Sequence, residues 1–298
     1  MDDWRLGMQA TRNQRTIAAP AILQGVGYWS GRDVRIEFRP APPETGIVFV
    51  RGDLNGRPRI PATIAYRFET PRRTTLRCGE AAVEMIEHIM AALAGLQIDN
   101  CELWVDEPEM PGCDGSSLPF VQVLTAAGIV EQPAPRRRKV IRRTVRVGDG
   151  ESWIEARPCC SGKMVLRYDL DYGSGSSIGR QSLEVSLSPR HFHINLAPSR
   201  TFLLQSEADA IKAQGLGQRA TCKDLLIFGP RGPIDNELRF PDECVRHKMV
   251  DMVGDLALAG CDLIGRFVAY RSGHRRNAEL VRTIAAEDEI SREIQRCA

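Results

Sequence analysis

The stretch Ala92-Leu93-Ala94-Gly95 recurs in the second half of the chain as Ala257-Leu258-Ala259-Gly260. A segment with helical periodicity precedes each copy, and glycine is the residue most typical of the position where a helix ends. A strand follows each copy, at residues 101–105 and 266–270, and then come a glycine turn and a second helix. This shared order of elements predicts two similar units that arose by internal duplication.

Strands and helices alternate in blocks rather than singly along both units. Alternating apolar and polar residues predict strands at 34–38 and 47–50 in the first half, and at 140–147 and 182–187 in the second. Each unit thus has several strands followed by helices, which is the α+β pattern.

A proline-rich joint separates the two predicted domains. The segment Glu131-Gln132-Pro133-Ala134-Pro135 has the composition of a connection between domains. It places a first α+β domain at residues 1–132 and a second at residues 133–298. A chain of 298 residues is long enough to give each domain its own core.

Composition excludes a membrane-spanning or secreted disulfide-rich protein. No apolar run approaches the roughly 20 residues needed to cross a bilayer, and the polar start at residues 1–5 lacks the apolar core of a signal peptide. Nine cysteines, an odd number without CxxC spacing, predict reduced thiols in a cytoplasm. The basic run at residues 136–143 is short and local, so it predicts a solvated linker and strand start rather than a nucleic-acid surface.

The region around His247 has the spacing of a metal site on a helix. His247 and Asp251 are four residues apart, so they lie on one helix face, and Asp255 continues the same stripe one turn further on. Apolar residues on the opposite side make this helix amphipathic. Taken alone, His247 and Asp251 could equally form an ordinary surface pair.

A second helical region supplies another histidine beside a carboxylate. His88, Ala91, Ala92 and Gly95 share one face, and small residues there let a partner helix approach closely. If the two helices cross, His88 meets His247 and Asp251, which gives the two-histidine, one-carboxylate set of a catalytic zinc site, with iron(II) as the alternative. Glu87 then stands where a general base stands in metalloproteases, although no HExxH motif occurs.

The remaining histidine pair, His191 and His193, is excluded from the site. Residues i and i+2 of a strand point to the same side, but no carboxylate or cysteine stands at a fitting distance in the sequence. A partly exposed loop or strand is the expectation for this segment.

A series of short stretches in one order resembles a known enzyme family. They span residues 14 to about 283 and comprise Gln14-Arg15-Thr16, Gly25-Val26-Gly27, residues 39–46, residues 87–95, Ile98-Asp99-Asn100, Asp114-Gly115-Ser116, Pro119-Phe120-Val121, Ser199-Arg200-Thr201-Phe202, residues 245–251, Gly254-Asp255-Leu256 and Ser272-Gly273-His274. The chain resembles the UDP-3-O-acyl-N-acetylglucosamine deacetylases, zinc enzymes that commit a sugar nucleotide to lipid A synthesis. The family fold is two α+β domains with helices packed between two outer sheets.

The resemblance implies a role for each residue of the site. The metal ligands would be His88, His247 and Asp251, and the general base would be Glu87. His274, held by Asp255, would act as a protonated group that stabilises the oxyanion or protonates the leaving amine.

The same resemblance implies residues that contact an acylated UDP-amino sugar. Thr201 would give its hydroxyl to the oxyanion of the tetrahedral intermediate. Lys248 would reach the sugar or the diphosphate, and Phe202 would lie near the substrate.

The chain departs from the family pattern where the substrate would bind. Tyr28-Trp29 stand in place of a histidine, Glu84-Met85 in place of a serine–threonine pair, residues 215–221 in place of a glycine-rich run, and residues 171–175 in place of a stretch that contains histidine and proline. Two alternatives therefore stay open: a paralogue that deacetylates another N-acyl sugar, and a non-catalytic sugar-nucleotide-binding protein. Acyl-chain length, the metal and the oligomeric state have no signature in the sequence.

Overall fold

The strands of the first half follow the alternating patterns of the sequence. The structure, a computed structural model, describes residues 12–297, with side chains to residue 286; the polar start of the chain lies outside this range. In chain order the strands are β1 (Asn13–Ile17), β2 (Ala21–Val26), β3 (Asp33–Pro40), β4 (Ile47–Arg51), β5 (Arg59–Pro61), β6 (Arg67–Phe68), β7 (Thr75–Cys78), β8 (Ala81–Glu84) and β9 (Cys101–Val105). The predicted strands at 34–38, 47–50 and 101–105 fall within β3, β4 and β9.

The strands of the second half differ from the prediction in one place. They are β10 (Ile129–Pro135), β11 (Arg138–Val140), β12 (Val145–Gly148), β13 (Trp153–Arg157), β14 (Met164–Asp171), β15 (Arg180–Ser186), β16 (Phe202–Leu204), β17 (Leu226–Gly229), β18 (Gly232–Pro233) and β19 (Asp262–Tyr270). The single strand predicted at 140–147 is wrong: β11 and β12 are separate, and they pair with different neighbours, β19 and β13.

The α-helices of the described residues include the four predicted segments and two others that the sequence did not predict. They are α1 (Glu87–Gly95), α2 (Leu118–Ala126), α3 (Pro189–His191), α4 (Gln205–Ala213), α5 (Glu243–Leu256) and α6 (His274–Cys297). Gly260 has a φ of 66° and ends the short helical turn Ala257–Ala259, as predicted. In the first copy α1 ends on Gly95, as predicted, although the residue with the left-handed conformation is Gln97, with a φ of 59°.

Gly95 is required for packing instead. A Cβ atom at this position would lie 2.1 Å from Cδ1 of the Phe192 ring. A glycine in a sequence can thus mark close packing as well as a turn, and periodicity alone does not distinguish the two.

Two sheets with the same strand order form the framework. The first has the order β2-β3-β9-β4-β5 and the second contains β12-β13-β19-β14-β15. In both, the central strand, β9 or β19, is antiparallel to one neighbour and parallel to the other. The predicted α+β class is confirmed, and the equal topology agrees with an internal duplication, which stays a prediction.

The helices pack against each other and against one face of each sheet. Helix α1 packs on α5, while α2 contacts β2, α6 contacts β12 and β13, and α5 contacts β14 and β15. The α1–α5 contact is very close at Gly254, where a Cβ atom would lie 2.0 Å from the carbonyl oxygen of Glu87. The start of α1 is therefore pressed against α5, and this brings the two histidine-bearing helices together.

The segment predicted as a joint between domains is a strand. Residues 131–135 belong to β10. This strand pairs with β1 in antiparallel orientation, with Ile129 opposite Ile17. The first residue of the basic run, Arg136, lies 2.9 Å from a carboxylate oxygen of Asp99 and 3.3 Å from one of Asp262. The domain division itself stays a prediction. Over residues 12–297, no helix has the length and apolar character needed to cross a bilayer.

Candidate metal centre and catalytic site

The structure brings His88, His247 and Asp251 together around one point. His88 is the second residue of α1, and the other two lie one turn apart on α5. A carboxylate oxygen of Asp251 lies 3.2 Å from Nε2 of His247 and 3.7 Å from Nε2 of His88. One possible ligand atom from each of these buried residues lies within 4.8 Å of the others.

The protonation states of His88 and Asp251 suit a divalent cation. Burial lowers the pKa of His88 to about 3, so its imidazole is neutral. Burial opposes the charge on Asp251, but Lys248 and His247 hold its pKa well below the usual range. Metal binding needs deprotonated imidazole and carboxylate ligands.

The two imidazole rings are also oriented for a ligand. Nδ1 of His247 lies 3.0 Å from the carbonyl oxygen of Ser199, so this nitrogen donates to the backbone, and Nε2 faces Asp251. Such a hydrogen bond to the outer nitrogen is usual for histidines that bind metals. Nδ1 of His88 is buried with no hydrogen-bond partner among the described residues. The His88 ring therefore has a nitrogen available to a ligand, and the donor set fits a metal.

Lys248 contacts Asp251 directly. Its ammonium donates to the second carboxylate oxygen of Asp251 over 2.6 Å, and the side chain lines the adjacent cavity. Lys248 thus fixes the orientation of a candidate ligand. Its expected reach to a sugar or diphosphate stays a prediction.

Glu87 faces the same point from the first residue of α1. One carboxylate oxygen accepts a hydrogen bond of 2.9 Å from the backbone N–H of Thr74, and the other lies 3.9 Å from Nε2 of His274. Burial, with the charges of Asp251 and Asp255 added, raises the pKa of Glu87 to about 7. A carboxylate with a pKa near neutrality is suited to take up a proton and release it again.

His274 is held as a cation by Asp255. Its Nδ1 lies 2.9 Å from a carboxylate oxygen of Asp255. Burial works against the charged imidazole, but Asp255 and Glu87 outweigh this effect and raise the pKa of His274 to about 9. A base and an imidazolium acid therefore stand beside the candidate ligands.

Three residues of this site lack any distinct signal in the sequence. Thr74 and Asn277 donate to the two oxygens of Asp255 over 2.6 Å and 2.8 Å. Ser199 acts through its backbone carbonyl. Single polar residues without motif spacing cannot be singled out by composition or periodicity. For Ser199 the only sign was its place in the stretch shared with the family.

Thr201 and Phe202 lie at the edge of the site. The backbone N–H of Thr201 donates to the carbonyl oxygen of Gly115 over 2.7 Å, which fixes the residue next to the turn at Gly115. The ring of Phe202 lies 6.3 Å from that of His247 and 5.8 Å from that of Tyr172, measured between centroids.

A cavity of about 640 Å³ opens beside the three candidate ligands. Eight of the nine residues predicted for the site line it, namely Glu87, His88, Thr201, Phe202, His247, Lys248, Asp251 and His274. The ninth, Asp255, is 2 % exposed and lies behind His274. The structure therefore brings all nine predicted residues to one place.

Each of the four stretches that depart from the family pattern has at least one residue on this cavity. Tyr28, Trp29, Met85, Tyr172 and Gly217 line it, although Gln218 and Arg219 do not. Apolar side chains form part of the wall, and they include Leu203, Ala208, Ile211, Leu225 and Ile227. Exposed cationic side chains of Arg72 and Arg275 lie on its border.

Two of these altered stretches contact each other across the molecule. Arg219 donates to the carbonyl oxygen of Gly31 over 2.8 Å and forms an ion pair of 2.9 Å with Asp33. The Tyr28 hydroxyl donates to the carbonyl oxygen of Asp224. Residues 28–33 and 217–224 therefore form one connected wall, which we call the 28/219 contact.

His191 and His193 lie elsewhere, as predicted, but in a different local structure. His191 ends helix α3 and His193 lies in the helical turn Phe192–Leu196, so the expected loop or strand is wrong. Phe192 between them is fully buried and packs against Gly95. In the described part of the chain, neither histidine lines the cavity.

Two imidazoles and a carboxylate, flanked by a base and an imidazolium acid, define the site of a metal-dependent hydrolase. The family model for LpxC, described as UDP-3-O-acyl N-acetylglycosamine deacetylase, matches residues 14–286. The chain belongs to this family.

Curated relatives agree over nearly the whole chain. A UDP-3-O-acyl-N-acetylglucosamine deacetylase of Phenylobacterium zucineum is 40% identical over 285 residues, which cover 94% of this chain and 95% of the relative. Proteins of the same name from Myxococcus xanthus and Thermosynechococcus vestitus are each 38% identical, and both alignments cover 92% of this chain. They cover 87% of the first relative and 94% of the second.

Proposed function

We propose that this chain removes the N-acetyl group of UDP-3-O-acyl-N-acetylglucosamine by metal-dependent hydrolysis, a step of lipid A synthesis. The observation that carries the proposal is the cluster of His88, His247 and Asp251 beside Glu87 and the Asp255–His274 pair. The names of the family and the relatives supply the substrate.

We propose zinc as the metal, with iron(II) as the alternative, because both ions are bound by two histidines and one carboxylate. His88, His247 and Asp251 would hold it. When bound, the metal would supply Lewis-acid chemistry, which polarises an amide carbonyl and activates water at neutral pH.

The two proton-transfer groups have complementary roles. Glu87 takes a proton from the attacking water as the new C–O bond forms. His274 then gives its proton to the amide nitrogen as the C–N bond breaks, so acetate and a free amine leave. The raised pKa of His274 keeps this proton available at neutral pH.

Thr201 and Lys248 would stabilise and position the reacting amide. The Thr201 hydroxyl would donate a hydrogen bond to the oxyanion as negative charge develops on it. Lys248 holds Asp251 over 2.6 Å. Its positive charge would lie close to the sugar or the diphosphate.

The rest of the cavity suits the two ends of the substrate. The apolar wall of Leu203, Ala208 and Ile227 would contact the acyl chain. The exposed guanidinium groups of Arg72 and Arg275 would attract the diphosphate.

A second candidate is hydrolysis of a different N-acyl sugar. It is favoured by one observation: Tyr28, Met85 and Tyr172, which depart from the family pattern, all line the cavity. A non-catalytic sugar-nucleotide-binding protein is disfavoured, because the base, the acid and all three candidate ligands are present and in contact.

The test is acetate release by the purified, metal-loaded protein. UDP-3-O-acyl-N-acetylglucosamine should be hydrolysed, and UDP-N-acetylglucosamine without the acyl chain should be a much poorer substrate. Glu87→Gln should keep the metal and lose about 10²–10⁴-fold in kcat. If the protein binds metal but releases no acetate from the acylated compound, the second candidate function is favoured. If neither compound nor any other N-acyl sugar is hydrolysed, the protein is a non-catalytic sugar-nucleotide-binding protein.

Cellular location and assembly stay predictions. The cysteine pattern favours the cytoplasm, and a small molecule rather than a nucleic acid is the expected partner.

A further inference from the structure

Asp255, which holds His274, is itself held by two other side chains. Its Oδ1 accepts a hydrogen bond of 2.6 Å from the Thr74 hydroxyl. Its Oδ2 accepts from Nδ2 of Asn277 over 2.8 Å, in addition to contacting His274. Thr74 is thus the hydroxyl donor that occupies the carboxylate oxygen facing away from His274.

Thr74 also contacts the opposite side of the reaction centre. Its backbone N–H donates to Glu87 over 2.9 Å, and its carbonyl oxygen accepts from the N–H of Ile86 over 3.3 Å. The residue is 1 % exposed and lies one position before β7, so it is fixed by the sheet as well as by the start of α1.

We propose that Thr74 is a positioning residue that fixes the base Glu87 and the acid His274 relative to each other. Its backbone fixes the carboxylate of Glu87, and its hydroxyl fixes Asp255, through which it acts on His274. The inference rests on the proposed function, and it adds a residue that connects the two proton-transfer groups.

The geometry explains why one residue needs both contacts. Glu87 and His274 transfer protons to different atoms of one substrate, and their facing atoms are 3.9 Å apart. A displacement of about 1 Å in either group can cost on the order of 10²-fold in rate. Because Asp255 reaches His274 from α5 and Glu87 comes from α1, an anchor that touches both carboxylates limits their relative movement.

The neighbouring residue provides a matched control. Thr75 is also buried, at 3 % exposure, and its hydroxyl has no hydrogen-bond partner among the described residues. Thr75→Val therefore removes a buried hydroxyl of the same kind without touching Asp255. Thr74→Val removes only the bond to Asp255, since the backbone bond to Glu87 remains.

The experiment compares three single variants of the full-length, metal-loaded protein. Thr74→Val should lower kcat by about tenfold to hundredfold, with KM and metal content close to wild type. Thr74→Ser should restore most of the rate, and Thr75→Val should match wild type. Equal kcat values for Thr74→Val and wild type, or equal losses in Thr74→Val and Thr75→Val, would overturn the proposal.

A double-mutant cycle separates positioning from general loss of structure. In a His274→Ala background, Thr74→Val should have little further effect on kcat, because its partner in the chemistry is absent. An undiminished loss in that background would show that Thr74 does not act through His274.

A spectroscopic readout keeps the test independent of the substrate. The ring ¹⁵N signals of His274, assigned by their loss in His274→Ala, should shift in Thr74→Val and stay in place in Thr75→Val. If wild type releases no acetate but the shift occurs, the proposed function fails and the positioning role stands. If acetate is released but no shift occurs, the positioning role fails alone.

Discussion

At the scale of single residues, two histidines of one site have opposite protonation states. The environment of His88 lowers its pKa to about 3, while Asp255 and Glu87 raise the pKa of His274 to about 9. The difference arises because burial outweighs the Asp251 carboxylate, which lies 3.7 Å from His88, whereas at His274 the carboxylates of Asp255, at 2.9 Å, and Glu87 outweigh burial. One imidazole is therefore available as a neutral ligand and the other as a proton donor.

The charge on His274 predicts how activity depends on pH. Its folded pKa lies above the ordinary value of about 6.5, so the protonated form is kept at neutral pH and is lost as the pH rises through about 9. The basic limb of the pH profile of kcat/KM should lie well above pH 6.5 in wild type. It should move to lower pH in Asp255→Asn, because the carboxylate charge that raises the pKa of His274 is absent. A pH series of initial rates measures both limbs, and a limb that stays in place in Asp255→Asn would assign the acid role to another group.

The ligand assignment predicts which variants lose the metal and which variant loses activity but keeps the metal. His88→Ala, His247→Ala and Asp251→Ala should each reduce bound metal below the one equivalent expected of wild type, because three protein ligands complete a catalytic site. Glu87→Gln is the control that should retain the metal. Elemental analysis of the dialysed proteins measures this, and full occupancy in all three alanine variants would contradict the ligand set.

The spacing of residues in the sequence identified the site residues that lie one turn apart on a helix. It did not identify site residues that stand alone in the sequence. His247, Asp251 and Asp255 follow the helical period, so the sequence contained the stripe that α5 displays. Thr74 reaches Asp255 from the loop before β7, and Asn277 reaches it from α6, over 181 and 22 residues of chain. Contacts of that kind depend on how the elements pack, which no local pattern encodes.

At the scale of elements, the crossing of α1 and α5 places the ligands. Gly254 leaves room for the backbone of Glu87, and Gly95 at the other end of α1 leaves room for Phe192. The sequence predicted the close approach from the small residues of α1, but the residue that permits it lies on α5. Small residues indicate that a helix packs closely without indicating against what.

Gly254→Ala should damage both stability and the metal site. The added Cβ would lie 2.0 Å from the Glu87 carbonyl oxygen, so the helices must separate and move His88 away from His247. Overpacking of this kind costs about 1–3 kcal/mol in the free energy of unfolding, or more. Urea titration and metal analysis test it, with Gly150→Ala as the control because a Cβ there meets nothing within 4 Å. Wild-type stability and metal content in Gly254→Ala would contradict the close crossing.

At the scale of the whole molecule, the 28/219 contact joins segments that are distant in the sequence. Both segments depart from the family pattern, and Tyr28, Trp29 and Gly217 face the cavity. The sequence indicated that each was unusual, but only the fold shows that they touch.

Arg219→Gly should change substrate binding far more than the chemical step. It removes the bonds to Gly31 and Asp33, which lie away from the candidate ligands, so KM for the acylated substrate should rise while kcat stays near wild type. Gln218→Gly is the matched control, since the Gln218 side chain bonds, within the described part of the chain, only to backbone oxygens of Lys212 and Leu216. Steady-state kinetics gives kcat and KM for both variants. A fall in kcat at constant KM would contradict a role of Arg219 in substrate binding.

The position of the candidate ligands on α1 and α5 has a thermodynamic consequence. An ion held by His88 together with His247 and Asp251 links two distant parts of the chain, as a removable cross-link does, and it binds the folded state alone. Linkage then adds about 2.7 kcal/mol to the free energy of unfolding when the free ion exceeds its Kd about a hundredfold. Chelation should therefore lower the melting temperature of wild type by several degrees and leave that of His88→Ala unchanged, so that thermal melts would report on the metal without any substrate.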